Sequence, residues 1–279
     1  MIHMSYPADG APRGESLLAG RPGGFSERTL TLAVTSGKGG VGKTQVSANL
    51  GVALARQGRS VVLVDADLGL ASLDLALGVT PGKDMMAVVR GKATLEDILV
   101  EGPAGVKLVP ACPGRFDMAN LAISERQRLA GALRELASGF EVLIIDTGAG
   151  IGTNSVEFAA LADEILLVVT PEPTSLRDAY AMAKVLHRRN GVRRVQFVAN
   201  QVANDLEAAE VFDRLAGIVK QFLSLELCYL GCIPRDERVV RAVASGEPYI
   251  LSAPRSLAAR GMDALVRRLG DNPLQGAIC

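Results

Sequence analysis

The sequence predicts an α/β domain built on a mainly parallel twisted sheet with helices on both faces. Three observations predict it. From residue 29 onward, short apolar runs alternate with longer amphipathic ones, as when parallel strands are joined by helical crossovers. The first such junction carries SGKGGVGKT at 36–44, a glycine-rich loop of the phosphate-binding pattern that follows a strand and opens a helix. Two acidic segments, beginning at Asp65 and Asp146, also fall where apolar runs end, the rim at which open α/β sheets bind ligands.

The elements follow in order. Residues 1–28 carry Gly, Pro, Ser and Ala without an apolar run long enough for a signal peptide or a membrane span, and are expected to form a flexible arm. The folded domain then covers 29–270, and 271–279 is a tail. Apolar runs predict strands at 31–35, 60–64, 142–145, 165–169 and 194–199, with weaker signals at 106–109 and 225–233. A helix at 44–57 starts on the loop and stops at Gly58, a residue suited to a left-handed cap. Further helices are expected near 124–137, 175–188, 206–222, 235–244 and 256–269.

Composition narrows the function. The 279 residues are 48% hydrophobic and 22% charged, enough for one well-buried core. Thirty basic residues balance thirty acidic ones, so no overall field draws nucleic acid or anionic lipid and any such binding needs a local patch. Cys112, Cys228, Cys232 and Cys279 are too sparse and irregular for a disulfide framework, which places the chain in a reducing cytoplasm. No stretch reaches eighteen uninterrupted apolar residues, and no repeat appears at solenoid periods.

The loop assigns most of its residues at once. Its glycines let backbone N–H groups close around phosphate oxygens, Lys43 reaches the β and γ phosphates, and Thr44 holds Mg²⁺. The helix starting near Lys43 adds roughly half a positive charge at its N-terminus. Lys38 has no task in that scheme, so it is expected to deliver charge to a phosphate outside its own subunit. In LVDADLGLASLD at 63–74, Asp65 and Asp67 leave a strand two residues apart and point to one side while the backbone stays extended. One supports hydrated Mg²⁺ and the other, Asp67, orients the attacking water. In VLIIDTGAG at 142–150, Asp146 ends an apolar strand and is expected to hold a metal-bound water. Gly148, Ala149 and Gly150 let the backbone approach a γ phosphate and change shape when it leaves.

These motifs resemble the MinD/ParA family of deviant Walker A ATPases, within the P-loop NTPase fold class. The likeness covers about 30–269 and includes EPTSLRDAY at 172–180 and IPRDERVVRAV at 233–243. Within that family the chain is similar to the flagellar number regulators called FlhG or FleN. The resemblance implies an ATP-dependent sandwich homodimer that needs ATP and Mg²⁺, with catalytic Lys38, Lys43 and Asp67. Lys38 would cross to the partner's nucleotide. It also implies an ATP-binding run of Gly37, Lys38, Gly39, Gly40, Val41, Gly42, Lys43, Thr44 and Gln45, with Mg²⁺ on Thr44 and, through water, on Asp65 and Asp146. Asn200 and the loop Pro234, Arg235 and Asp236 would contact adenine. Glu172 would face the dimer interface, and Arg177 and Asp178 would begin a helix that docks partners.

The implied role is a weak ATPase acting as a switch that sets the position or number of flagella through a flagellar assembly or regulatory protein. A ParA-type DNA-segregation ATPase is the second reading and would use a patch such as Arg188, Arg189, Arg193 and Arg194. An iron–sulfur carrier ATPase is the third and would use Cys228 and Cys232, expected to share one face of a strand. The last helix carries Arg255, Arg260, Arg267 and Arg268 around an apolar face, a pattern that can lie peripherally on the inner face of the plasma membrane. Membrane-binding relatives carry a further amphipathic segment, whereas DNPLQGAIC here has no basic amphipathic face. The glutamine-containing motif with which flagellar regulators often begin has no match in 1–28.

Overall fold

A computed structural model describes residues 29–112 and 121–271. The expected arm and nearly all of the tail lie outside the described residues. Among the described residues, eight strands form one sheet: β1 Leu30–Thr35, β2 Val61–Ala66, β3 Val100–Glu101, β4 Lys107–Val109, β5 Val142–Thr147, β6 Glu164–Val169, β7 Arg194–Val202 and β8 Glu226–Pro234. Their order is β3-β4-β2-β5-β1-β6-β7-β8. Every pairing is parallel except the β3–β4 edge. The apolar runs are continuous because a parallel sheet is buried on both faces.

Ten helices accompany the sheet among the described residues: α1 Lys43–Ala55, α2 Leu73–Leu77, α3 Met85–Val89, α4 Ile123–Ala137, α5 Thr153–Ala159, α6 Pro173–Asn190, α7 Asp205–Phe222, α8 Glu237–Ser245, α9 Tyr249–Ser252 and α10 Leu257–Asp271. On β1, Leu32 and Val34 face a core shared with α1, α2, α9 and α10. Ala33 faces the opposite core, shared with α3 to α7. Helix α1 is buried along most of its length, so its N-terminus is fixed against the middle of the sheet. Gly58 adopts φ 85 just beyond it, the expected stop.

Several boundaries differ from expectation. Strands β2 and β5 run on through Asp65 and Asp146, which makes both carboxylates part of the buried sheet. Helix α8 begins at Glu237, not at 235, because the Asp236 side chain accepts the Arg238 N–H and caps it. Strand β3 and the short helices α2, α3, α5 and α9 were not anticipated. Cys228 and Cys232 do not share a face. Cys228 pairs with Gln196 and Cys232 with Ala199, three residues on, because the register shifts past Leu230. That bulge reverses the alternation, so the paired-cysteine site is not formed. No group of three or more potential metal-ligating His, Cys, Asp or Glu side chains occurs among the described residues. None of the described helices is long and apolar enough to cross a membrane.

Candidate nucleotide-binding site

The loop lies between β1 and α1, with Gly40 at φ 79 and Gly42 at φ 86. Gly42 is the N-cap of α1 and has no side chain to cap it, which leaves the first N–H groups of a buried helix free for an anion. A Cβ on Gly42 would lie 2.4 Å from Asn200 Nδ2, and one on Gly37 would lie 2.0 Å from the Asp178 carbonyl oxygen. Glycine is therefore required at both positions, the second because α6 packs directly on the loop. The N–H of Gly150 donates to the Ser36 carbonyl at 2.9 Å. The segment after β5 is thereby tied to the loop.

Lys43, the first residue of α1, is buried and forms an ion pair with Asp146 at 3.1 Å. Ser47, one turn further along α1, donates its hydroxyl to the same Asp146 oxygen at 2.9 Å. The other oxygen, Oδ2, is buried without a hydrogen-bond partner. A buried carboxylate oxygen left bare is costly, and a metal-bound water would satisfy it. Thr44 Oγ1 lies 3.3 Å from the Ser72 hydroxyl, at the same rim. The free N–H groups, Lys43, the Thr44 hydroxyl and the bare Asp146 oxygen together fit a Mg²⁺–nucleotide. Lys43 would exchange part of its contact with Asp146 for phosphate oxygens.

Asp65 stands beside Asp146 in register on the neighbouring strand. Its carboxylate accepts backbone N–H groups from Ser72 at 2.9 Å, Leu73 at 3.0 Å and Asp67 at 3.1 Å. It therefore folds the segment 67–72 back onto the sheet. Asp67 lies just past the end of β2 and accepts the Leu70 N–H at 3.2 Å. It faces Gly148, whose added Cβ would be 3.6 Å from Asp67 Oδ1 and 2.8 Å from the Ser155 hydroxyl. The two acidic segments thus meet.

Burial, and then the adjacent Asp146 carboxylate, push Asp65 up to about 7 from its ordinary 3.8. The folded chain therefore binds more protons than the unfolded chain between those two values. By linkage its stability falls as pH rises through that window and levels off above it. The nucleotide-free protein is expected to melt roughly 5 °C higher at pH 5.5 than at pH 8 through this group alone. A melting series on wild type and Asp65→Asn checks this, since the variant should lose that part of the slope.

Asn200 lies near the end of β7 and donates its Nδ2 to the Val41 carbonyl at 2.7 Å, which leaves its oxygen as the acceptor for a base. Beside it, Gln201 has φ 59 at a register shift between β7 and β8, and its amide reaches the Gly40 carbonyl at 3.4 Å. Both residues line a cavity of about 370 Å³ with Gln45, Pro234, Arg235 and Asp236, whose apolar walls are Val46, Ile233, Val239, Val243 and Tyr249. The expected adenine residues are therefore brought together. Ser47 and Gln201 were missed. Ser47 was within reach, being four residues beyond Lys43 and on the same helix face.

Lys38 is directed elsewhere. Its Nζ pairs with the Glu172 carboxylate and lies 3.1 Å from the Thr174 hydroxyl, both at the exposed start of α6. That partnership lowers the Glu172 pKa below the usual carboxylate value. Arg177 pairs with its neighbour Asp178 at 3.0 Å and remains at the surface.

The fold has known counterparts. A sequence profile described as the CobQ/CobB/MinD/ParA nucleotide binding domain matches residues 32–249. The Antiactivator FleN of Pseudomonas aeruginosa is 43% identical over 243 residues, 87% of this chain and 87% of that protein. The Flagellum site-determining protein YlxH of Helicobacter pylori is 33% identical over 90% of this chain and 85% of its own. Among solved structures, the cell division ATPase MinD of Pyrococcus furiosus gives a TM-score of 0.73 at 27% identity, covering 87% of this chain and 98% of that one. MinD of Pyrococcus horikoshii, complexed with Mg-ADP, gives 0.74 at 25% identity, covering 90% and 100%. With this fold, this loop and these relatives, the chain belongs to the MinD/ParA family of P-loop ATPases, and within it is similar to the FleN and FlhG group.

Proposed function

We propose that the protein is an ATP-dependent dimerising switch with weak ATPase activity that regulates the position or number of flagella. The observation that carries the switch is the division of labour between the two loop lysines. Lys43 is buried against Asp146 inside its own cradle. The Lys38 side chain is 36% exposed and held only at the rim, by Glu172 and Thr174. A solvated pair of this kind is a weak restraint, so Lys38 is available to the phosphates of a second subunit.

Two subunits without nucleotide would bring like charges together, and each 4 Å approach costs up to about 4 kcal/mol at an effective dielectric of 20. A triphosphate between them reverses the sign. Dimerisation then depends on ATP by linkage. Thr44 and, through water, Asp65 and Asp146 would hold Mg²⁺, which would supply charge neutralisation on the phosphate oxygens. Asp67 orients the attacking water, Lys43 fixes the phosphates and Lys38 offsets developing charge from across the interface. Once the γ phosphate has gone, the Gly148–Gly150 segment relaxes and Lys38 returns to Glu172.

The flagellar part of the reading rests on the relatives named an antiactivator and a flagellum site-determining protein. Its partner would be a flagellar assembly or regulatory protein that binds the ATP form. Deleting the gene in its own cell and counting flagella by electron microscopy checks this part. A changed number or placement is expected, restored by the wild-type gene and not by an Asp67→Ala copy. An unchanged distribution would remove the flagellar role and leave the switch to be judged separately.

A further inference from the structure

A second cavity, of about 630 Å³, lies at the β8 edge of the sheet between α7 and α10. Phe212 and Tyr229 line it with their rings edge to face, centroids 5.4 Å apart. Ala209 on α7 and Leu257 and Ala264 on α10 also line it. It carries two guanidinium groups, Arg260 and Arg268, against one carboxylate, Asp205. Asp205 accepts the Cys232 S–H at 3.1 Å. Arg268 donates to the Leu230 carbonyl at 2.6 Å and lies 6.0 Å from the Tyr229 ring centroid. Neither arginine has a carboxylate partner among the described residues, and Arg260 makes no side-chain hydrogen bond there.

The chemistry selects the occupant. An apolar aromatic surface flanked by unmatched arginines suits an apolar side chain accompanied by carboxylates. Strand addition is disfavoured because Arg268 already occupies the carbonyl exposed by the β8 bulge. A bilayer surface is a poor match for a concavity that receives side chains. Burial first, and then Asp205, push the Cys232 thiol up to about 11, so at neutral pH it is a hydrogen-bond donor and not a nucleophile. Pro234 lines both this groove and the base cavity, so an occupant would bear on the strand end that walls the nucleotide site.

We propose that this groove docks an acidic amphipathic segment of another protein, with its apolar side chains against Phe212 and Tyr229 and its carboxylates on Arg260 and Arg268. The test is fluorescence anisotropy of the full chain with a labelled helical probe in which Leu and Phe recur at one face and Asp and Glu fill the rest. Saturable binding with a Kd on the order of 10 μM is expected. It should weaken at least tenfold in Arg260→Glu and in Ala264→Glu, each checked for an unchanged circular dichroism spectrum, and a probe with Lys for every acid should not bind. Absence of saturation, or equal binding by both variants, overturns the proposal. Displacement of the probe by a peptide of residues 272–279 overturns it in favour of the chain's own tail. Arg260-dependent binding to phosphatidylglycerol vesicles without binding of the probe overturns it in favour of a lipid surface.

Discussion

Replacing Asp67 with alanine is expected to lower ATP turnover at least about a hundredfold, the usual contribution of a positioned general base, while leaving ATP affinity close to that of the wild type. The reason is positional. Asp67 sits beyond the end of β2, where its carboxylate accepts the Leu70 N–H and no other hydrogen bond among the described residues, and faces Gly148. The phosphate cradle is built elsewhere, from the N-terminus of α1, Lys43 and Asp146. Removing the carboxylate should take away the group that orients water and leave the cradle standing. Phosphate release and nucleotide titration measure the two effects separately. A variant that kept more than a tenth of the wild-type rate would take Asp67 out of the chemistry.

The second large effect is expected at Lys38. Lys38→Ala should abolish the ATP-dependent increase in mass and reduce turnover on the order of a thousandfold, the low end for a cation supplied in trans to phosphoryl transfer. Its melting temperature should stay close to that of the wild type, because the lost pair with Glu172 is at the surface. ATP binding should persist through Lys43. The contrast with Lys43→Ala is informative. That change strands Asp146, already bare at Oδ2, without its buried cation, and breaking such a pair costs about 3–5 kcal/mol. Loss of stability together with loss of binding is expected there, whereas Lys38→Ala should separate dimerisation from both.

The central strands were legible because they are buried on both faces: β2, β5 and β6 carry unbroken apolar runs, and β1 and β7 are interrupted only by Thr31, Gln196, Asn200 and Gln201 between their ends. The loop was legible because its glycines carry a conformational requirement that Gly42, at φ 86 against Asn200, makes explicit. Five-residue helices such as α2 and α3 show too little periodicity to be seen, and α2 depends on Asp65 accepting the N–H groups of Ser72 and Leu73. The bulge past Leu230 leaves no local signal, and it inverts the face on which Cys232 lies. At the site, the loop residues expected to bind phosphate were read from the spacing of the loop pattern. The pairing of Lys38 with Glu172 joins residues far apart in the chain and becomes visible only once α6 is packed on the loop.

In the proposed switch, ATP gives Lys38 a target in a second subunit and so converts monomer to dimer. The most direct measurement is the solution mass of the Asp67→Ala protein by light scattering, with Mg-ATP and with Mg-ADP at saturating concentrations. A mass near 29.2 kDa is expected with ADP and twice that with ATP, falling back to the monomer when Lys38→Ala is added. A monomer in both nucleotides, with ATP shown to be bound, would rule out the dimer switch.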